Sequence, residues 1–195
     1  MTQLDLFKRH LRRGNVYRRA DLANWSKSVD RHLSLLVKEG TLKKLSQGLY
    51  AYPKETSFGE APPEDQQLIQ SFLKDDRFLI TSPNAYNGLG VGATQLYNKK
   101  IVYNHKRHGE FKIGNRVFDF KIKHHFPSKL TQEFLLVDLV NNLDTLAEEK
   151  DSLLKNIKQK VAQMEQGQLQ HYVLKYGNMR TKKLFAQLLN YTNAA

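Results

Sequence analysis

Apolar positions in the first fifty residues recur at helical spacing and then switch to short alternating runs. Leu4, Phe7 and Leu11 lie three and four apart, which is the period of one helix face. Thr2 followed three residues later by Asp5 gives the capping-box pattern at the start of that helix, and Gly14 ends the run. "NVYRRADLANW" predicts a short second helix over 19–24, with Tyr17, Leu22 and Trp25 facing the core. A third helix is predicted from Ser26, as its cap, to Gly40, with Val29, Leu33, Leu36 and Val37 as the buried stripe. At about 100° per residue, Lys27, Arg31, Ser34 and Lys38 fall on the opposite side. "TLKKL" and "LYAY" flank "SQG" as a two-stranded hairpin, with Gly48 at the position that needs positive φ. Three helices and a hairpin within residues 1–53 predict a winged helix-turn-helix domain.

The pattern then changes. "PKETSFGEAPPED" is rich in proline and acids, so residues 54–64 are expected to form a linker. Residues 65–195 carry a helix over 65–74, a strand "RFLIT" and a helix start with Ser82 as cap and Pro83 in the first turn. They continue with a strand "KKIVYN" and a hairpin "EFKIGNRVFDFKI" around Gly114-Asn115. From Thr131 onward the periodicity is helical, with breaks near Gly167 and Gly177. The expected fold is α+β: a winged helix-turn-helix, then a larger α+β domain with a small sheet and C-terminal helices.

Charge turns this outline toward a partner. The chain carries a formal net charge of +12, and a surplus of this size favours a polyanionic partner. Residues 1–53 hold 11 Lys and Arg against 4 Asp and Glu, so the first quarter supplies +7 of the total. There is no cysteine, which excludes disulfides and thiolate metal sites. No apolar run approaches the roughly 18 residues of a membrane span, and the charged N-terminus lacks a signal-peptide pattern. A cytoplasmic protein with no membrane partner is expected.

A helix fits the DNA major groove, and its solvent face must then supply donors to bases and phosphates. Lys27 and Arg31 are placed for base edges, with Ser28 and Ser34 as shorter-range partners. Lys38, Arg18 and Arg19 suit phosphates, which position without reading sequence. Lys43, Lys44 and Gln47 on the hairpin would meet the neighbouring backbone or minor groove. A second basic surface is a candidate over 99–125, where Lys99, Lys100, Lys106, Arg107, Lys121 and Lys123 interleave with Tyr97, Tyr103, Phe111 and Phe118. Its alternative reading is a half-buried sheet with its lysines in water.

The catalytic signals are weaker. Asp119 and Lys121 share one strand face and, with Glu110, resemble the spacing of a metal-dependent nuclease. A charged solvent face of a hairpin gives the same spacing. The pairs His105/His108 and His124/His125 lack further ligands at metal-binding spacing. "GLGVGA" over 88–93 lies too far from the preceding strand for a dinucleotide loop. No catalytic residue, metal or cofactor is expected, and the protein is read as a non-enzyme.

"YRRADLANW…VDRHLSLLVKEGTLKKLSQGLYAYP" resembles the N-terminal winged helix of AbiEi-type antitoxins of type IV toxin–antitoxin systems. The family pattern L-x-x-L-x-x-x-G-x-L-x-x-L-x-x-G-x-Y is matched by Leu33, Leu36, Gly40, Leu42, Leu45, Gly48 and Tyr50. "ITSPNAYNGLG", "KKIVYN" and "YGNMRTKKLFAQLL" are similar to later parts of that family. The resemblance implies an antitoxin that binds repeats in its own promoter as double-stranded DNA and represses the operon. It also implies that the C-terminal domain counteracts a nucleotidyltransferase-like toxin, without requiring a stable complex with it. The alternatives are a nuclease targeted by a winged helix, and a plain ligand-responsive transcription factor.

Overall fold

The computed structural model describes residues 2–192, with side chains over 2–189. The chain divides into two compact units, one of 1–76 with 110–118 and one of 77–109 with 119–195.

In the first unit, α1 (Gln3–Lys8) opens on the predicted capping box. Thr2 Oγ1 accepts from the Asp5 N–H at 3.1 Å, and the Asp5 carboxylate accepts from the Thr2 N–H at 2.8 Å. β1 (Val16–Arg18) leads into α2 (Arg19–Leu22), which continues as a 3-10 turn over Ala23–Trp25. α3 (Val29–Lys38), β2 (Lys43–Ser46) and β3 (Leu49–Ala51) follow. The strands form an antiparallel sheet of order β1-β3-β2. Phe7, Leu11, Leu22, Val29, Leu33, Leu36 and Leu42 make the core beneath it.

Three local expectations change here. α3 starts at Val29, with Ser28 in the cap position, so Ser26 is not the cap. Instead Ser26 Oγ accepts from the Ser28 N–H at 3.0 Å and bonds His32 Nδ1 at 2.9 Å. His32, so partnered and packed on Phe7, is buried in place of Val37, which is 36% exposed. A polar ring enters a core when its hydrogen bond is met there. Trp25 is 42% exposed and stacks on His10 at 4.9 Å instead of entering the core.

The stretch expected as a linker is a hairpin of β4 (Lys54–Thr56) and β5 (Gly59–Ala61). Thr56 Oγ1 donates to the Gly59 carbonyl at 2.6 Å, and Gly59 takes φ +103° to close the turn. Glu55 and Glu60 face each other across the hairpin, an arrangement that like charges disfavour. Each is paired with a cation, Glu55 with Arg13 and Glu60 with Lys43. α4 (Asp65–Leu73) ends on Lys74, whose φ of +55° is left-handed. The unit is completed by residues 110–118, from β8 (Gly109–Ile113) and β9 (Arg116–Ile122). The Arg116 guanidinium pairs with Asp65 and donates to the Pro63 carbonyl at 2.5 Å, and Phe111 packs edge-on against Phe72. The boundary expected over 54–64 therefore falls inside this unit.

In the second unit β6 (Phe78–Thr81) pairs antiparallel with β7 (Lys100–Asn104). Ser82 precedes a 3-10 segment over Pro83–Leu89, with proline in its first turn as predicted. α5 (Gln132–Asn141) is capped by Thr131, whose hydroxyl accepts from the Phe134 N–H at 3.2 Å. Phe134, Leu136, Val137, Leu139 and Val140 are all buried, with Asp138 buried among them, so α5 is a central helix. α6 (Lys150–Ala162), α7 (Gln166–Tyr176) and α8 (Met179–Thr192) complete the unit. Gly167 lies in the first turn of α7, and the break precedes it at Glu165, whose carboxylate caps the helix. Gly177 divides α7 from α8, where a Cβ would come within 2.6 Å of the Val173 carbonyl. Among the described residues, no helix is long and apolar enough to cross a membrane.

Candidate nucleic-acid interface

Because Val29, His32, Leu33 and Leu36 anchor α3 to the core, its other face carries Arg31, Ser34 and Lys38 into solvent. Lys27 and Ser28 are exposed at its start. Lys27, Arg31 and Lys38 have no ion-pair partner among the described residues. The β2–β3 turn is tied to the start of α2, since the Arg19 N–H donates to the Gly48 carbonyl at 2.8 Å. Gln47 in that turn and Lys44 on β2 are exposed, and Lys44 also lacks an acidic partner among the described residues.

The remaining predicted contacts are engaged within the unit. Arg18 makes a two-pronged bond to Asp21 at 2.8 and 2.9 Å. Arg19 does the same to Asp30 at 2.5 and 2.6 Å, joining α2 to the first turn of α3. Its hydrogen bonds from Arg19 hold the Asp30 carboxyl below its usual range and raise the Arg19 guanidinium above its own. Lys43 is paired with Glu60. Arg18, Arg19 and Lys43 thus hold the scaffold, and a phosphate would have to displace a carboxylate to reach them. The sequence reading passed over Arg9 and Arg12, which are exposed and make no salt bridge among the described residues. Their signal is the run "FKRHLRRG", where six residues separate Asp5 from Arg12.

The second basic zone behaves otherwise. Lys99 reaches Asp119 at 3.0 Å and Lys121 reaches it at 3.9 Å. Lys123 Nζ donates to the buried Asp138 carboxylate at 2.8 Å and lies 3.7 Å from the Tyr103 ring centre. Asp138 also accepts from Tyr86 Oη at 2.8 Å and from Tyr103 Oη at 2.9 Å. Burial, followed by the charge of Asp138, pushes both tyrosine hydroxyls well above their usual range. Lys100, Lys106 and Arg107 also interact within the chain. Three of the six expected cations are therefore within ion-pair distance of a carboxylate, Lys99 and Lys121 sharing Asp119, and Lys123 is part of a buried network. Lys123 and Asp138 are fifteen positions apart in the sequence, a separation that no local pattern reveals.

Asp119, the carboxylate singled out for nuclease chemistry, is mostly covered and held by Lys99 and Lys121. Among the described residues, no three His, Asp or Glu side chains converge on a position for a metal ion. His105 stacks on Phe126 at 4.8 Å, and Gly90 and Gly92 turn the chain with positive φ after the 3-10 segment.

No curated protein matches the sequence. Residues 4–175 match the model of a family described as "Family of unknown function (DUF6088)". That span covers most of both compact units, and the chain belongs to the DUF6088 family.

Proposed function

We propose that this protein is a DNA-binding repressor whose first unit is a winged helix-turn-helix, with α3 as the recognition helix and β2–β3 as the wing. The carrying observation is the row of exposed cations on and beside α3, Lys27, Arg31 and Lys38, which have no acidic partner among the described residues. The neighbouring arginines are locked to Asp21 and Asp30. A helix so equipped meets the major groove with Arg31 and Lys27 at base edges and Lys38 at phosphate. Lys44 and Gln47 hold the adjacent backbone, while Arg19 and Asp30 brace the angle between α2 and α3. Occupancy of its own promoter then blocks transcription.

The resemblance of Leu33, Leu36, Gly40, Leu42, Leu45, Gly48 and Tyr50 to the AbiEi pattern supports a more specific reading. In it the protein is the antitoxin of a type IV pair, acting without catalysis or cofactor, and the second unit counteracts a nucleotidyltransferase-like toxin. The test is a gel-shift titration on the DNA upstream of its own gene, against scrambled DNA, at two salt concentrations with and without Mg²⁺. Sequence-specific retention without cleavage is the expected result, and rescue of growth on co-expression with the adjacent toxin gene would support the antitoxin reading. Binding with no preference for that DNA, or Mg²⁺-dependent cutting, would overturn the repressor.

A further inference from the structure

Within the first unit, a cavity of about 310 Å³ lies between β2, β5 and the turn at Gly114-Asn115. That volume is at the small end of the roughly 300–1,000 Å³ of small-molecule sites. Its apolar walls include Pro53, Ala61, Leu68 and Ile113, with Leu68 and Ile113 buried. Its charged lining is Lys43, Lys44 and Arg116 against Glu60, three cations to one carboxylate, a net of +2. Lys43 is neutralised by Glu60 and Arg116 by Asp65. Lys44 alone of these cations has no acidic partner among the described residues.

The walls are fixed by backbone as well as by side chains. The β2–β3 register shifts between Lys44 and Ser46, which frees Leu45 from the ladder. The Leu45 carbonyl accepts instead from the Gly114 N–H at 2.8 Å. Gly114 adopts φ +62°, and a Cβ there would stand 3.2 Å from Leu45 Cδ2. Two segments almost seventy residues apart in sequence therefore close on one another through a bond at a glycine whose left-handed backbone a side chain would strain.

We infer that this cavity binds a small organic carboxylate with an apolar body. The carboxylate meets Lys44, whose single uncompensated charge matches a monoanion, and the body lies against Pro53, Leu68 and Ile113. A mostly apolar lining with few convergent charges is the composition of such sites. Lys44 also belongs to the DNA contacts proposed above, so ligand and DNA backbone would compete for it and weaken each other's binding by the same factor. That coupling rests on the DNA reading, whereas the binding of the carboxylate does not.

The test uses the full chain without DNA, so its failure is distinct from a failure of the DNA reading. The probe is 4-fluorobenzoate, followed by ¹⁹F NMR line width and shift, with neutral 4-fluorobenzyl alcohol as the comparison. The expected result is saturable broadening of the benzoate at concentrations where the alcohol stays sharp. Lys44→Gln should weaken binding about fivefold, by loss of one close charge. Glu60→Gln should strengthen it, because it removes the only anion of the lining. Ala61→Leu, which fills the cavity at unchanged charge, should abolish it. Equal broadening of the alcohol, or a response that survives Ala61→Leu in a folded variant, overturns the inference.

Discussion

Two stretches of this chain are rich in Lys and Arg and dispose of their charge in opposite ways. Around α3 and β2, Lys27, Arg31, Lys38 and Lys44 stand in solvent without an acidic partner among the described residues. From Lys99 to Lys123, the lysines at 99, 121 and 123 are each within ion-pair distance of Asp119 or Asp138. The difference lies in the carboxylates. Near α3 the acids are consumed by Arg18 and Arg19, which leaves the cations beyond them uncompensated. In the second zone the carboxylates sit inside the sheet and on the central helix, where they draw lysines inward. Charge density in a sequence therefore measures how many cations are present, and the position of the nearest acid decides how many remain for a partner.

The contrast is tested first where the largest effect is expected. Lys123→Ala leaves the buried Asp138 carboxylate with only its tyrosine donors. Breaking such a pair on one side costs about 3 kcal/mol, to be read as a lowered urea midpoint. DNA affinity should not change at temperatures where the variant is folded. Loss of DNA binding in a folded Lys123→Ala protein would make the two zones alike after all.

Arg31→Ala should leave stability within about 0.5 kcal/mol. It should weaken binding to the promoter by about 1–3 kcal/mol and reduce the preference over scrambled DNA. Lys44→Ala should weaken binding to both DNAs alike, with the slope of log K against log salt falling by about 0.9. Equal behaviour of these two variants in a competition titration would contradict the division between base and phosphate contacts. Lys121→Ala should alter neither property measurably, since Asp119 keeps its closer partner Lys99.

A small effect concerns acid. Asp144 is held down to about 2 from an ordinary 3.8, first by its hydrogen bond from Arg180 and then by that from Lys150. A carboxyl lowered in the folded state stabilises fully above its ordinary value, and the contribution fades as pH falls from about 4 to 2. The group is exposed, so solvent screens the effect. Urea midpoints taken between pH 6 and pH 2 should fall slightly more in the parent than in Arg180→Gln.

Much of the first unit was legible because its signals are local. The capping box of Thr2 and Asp5, the stripe Val29–Leu33–Leu36 and the turn at Gly48 depend on residues three to seven positions apart. β1 was not foreseen, for its three residues are all half-buried and too few to show alternation. His32 and Val37 exchanged roles because a neighbour, Ser26, supplies the bond that lets a histidine ring be buried. The proline-rich 54–64 stretch read as a linker because the pairings that hold it, Glu55 with Arg13 and Glu60 with Lys43, join distant residues. The same distance concealed Lys123 within the second zone. Of the candidate interface, the solvent face of α3 was visible in the spacing. That Arg18 and Arg19 are committed elsewhere was not, because a bidentate pair depends on the angle between two helices.

The discontinuity of the first unit reaches back to the ribosome. Its last contributors, Ile113, Gly114 and Arg116, emerge some forty residues after Asp76. At about 5–20 residues per second of synthesis, that gap lasts roughly two to eight seconds. During that interval α4 lacks the Arg116 bond to Asp65, and the Leu45 carbonyl lacks Gly114. The nascent N-terminal segment therefore waits, incompletely closed, for a hairpin that translation has yet to deliver.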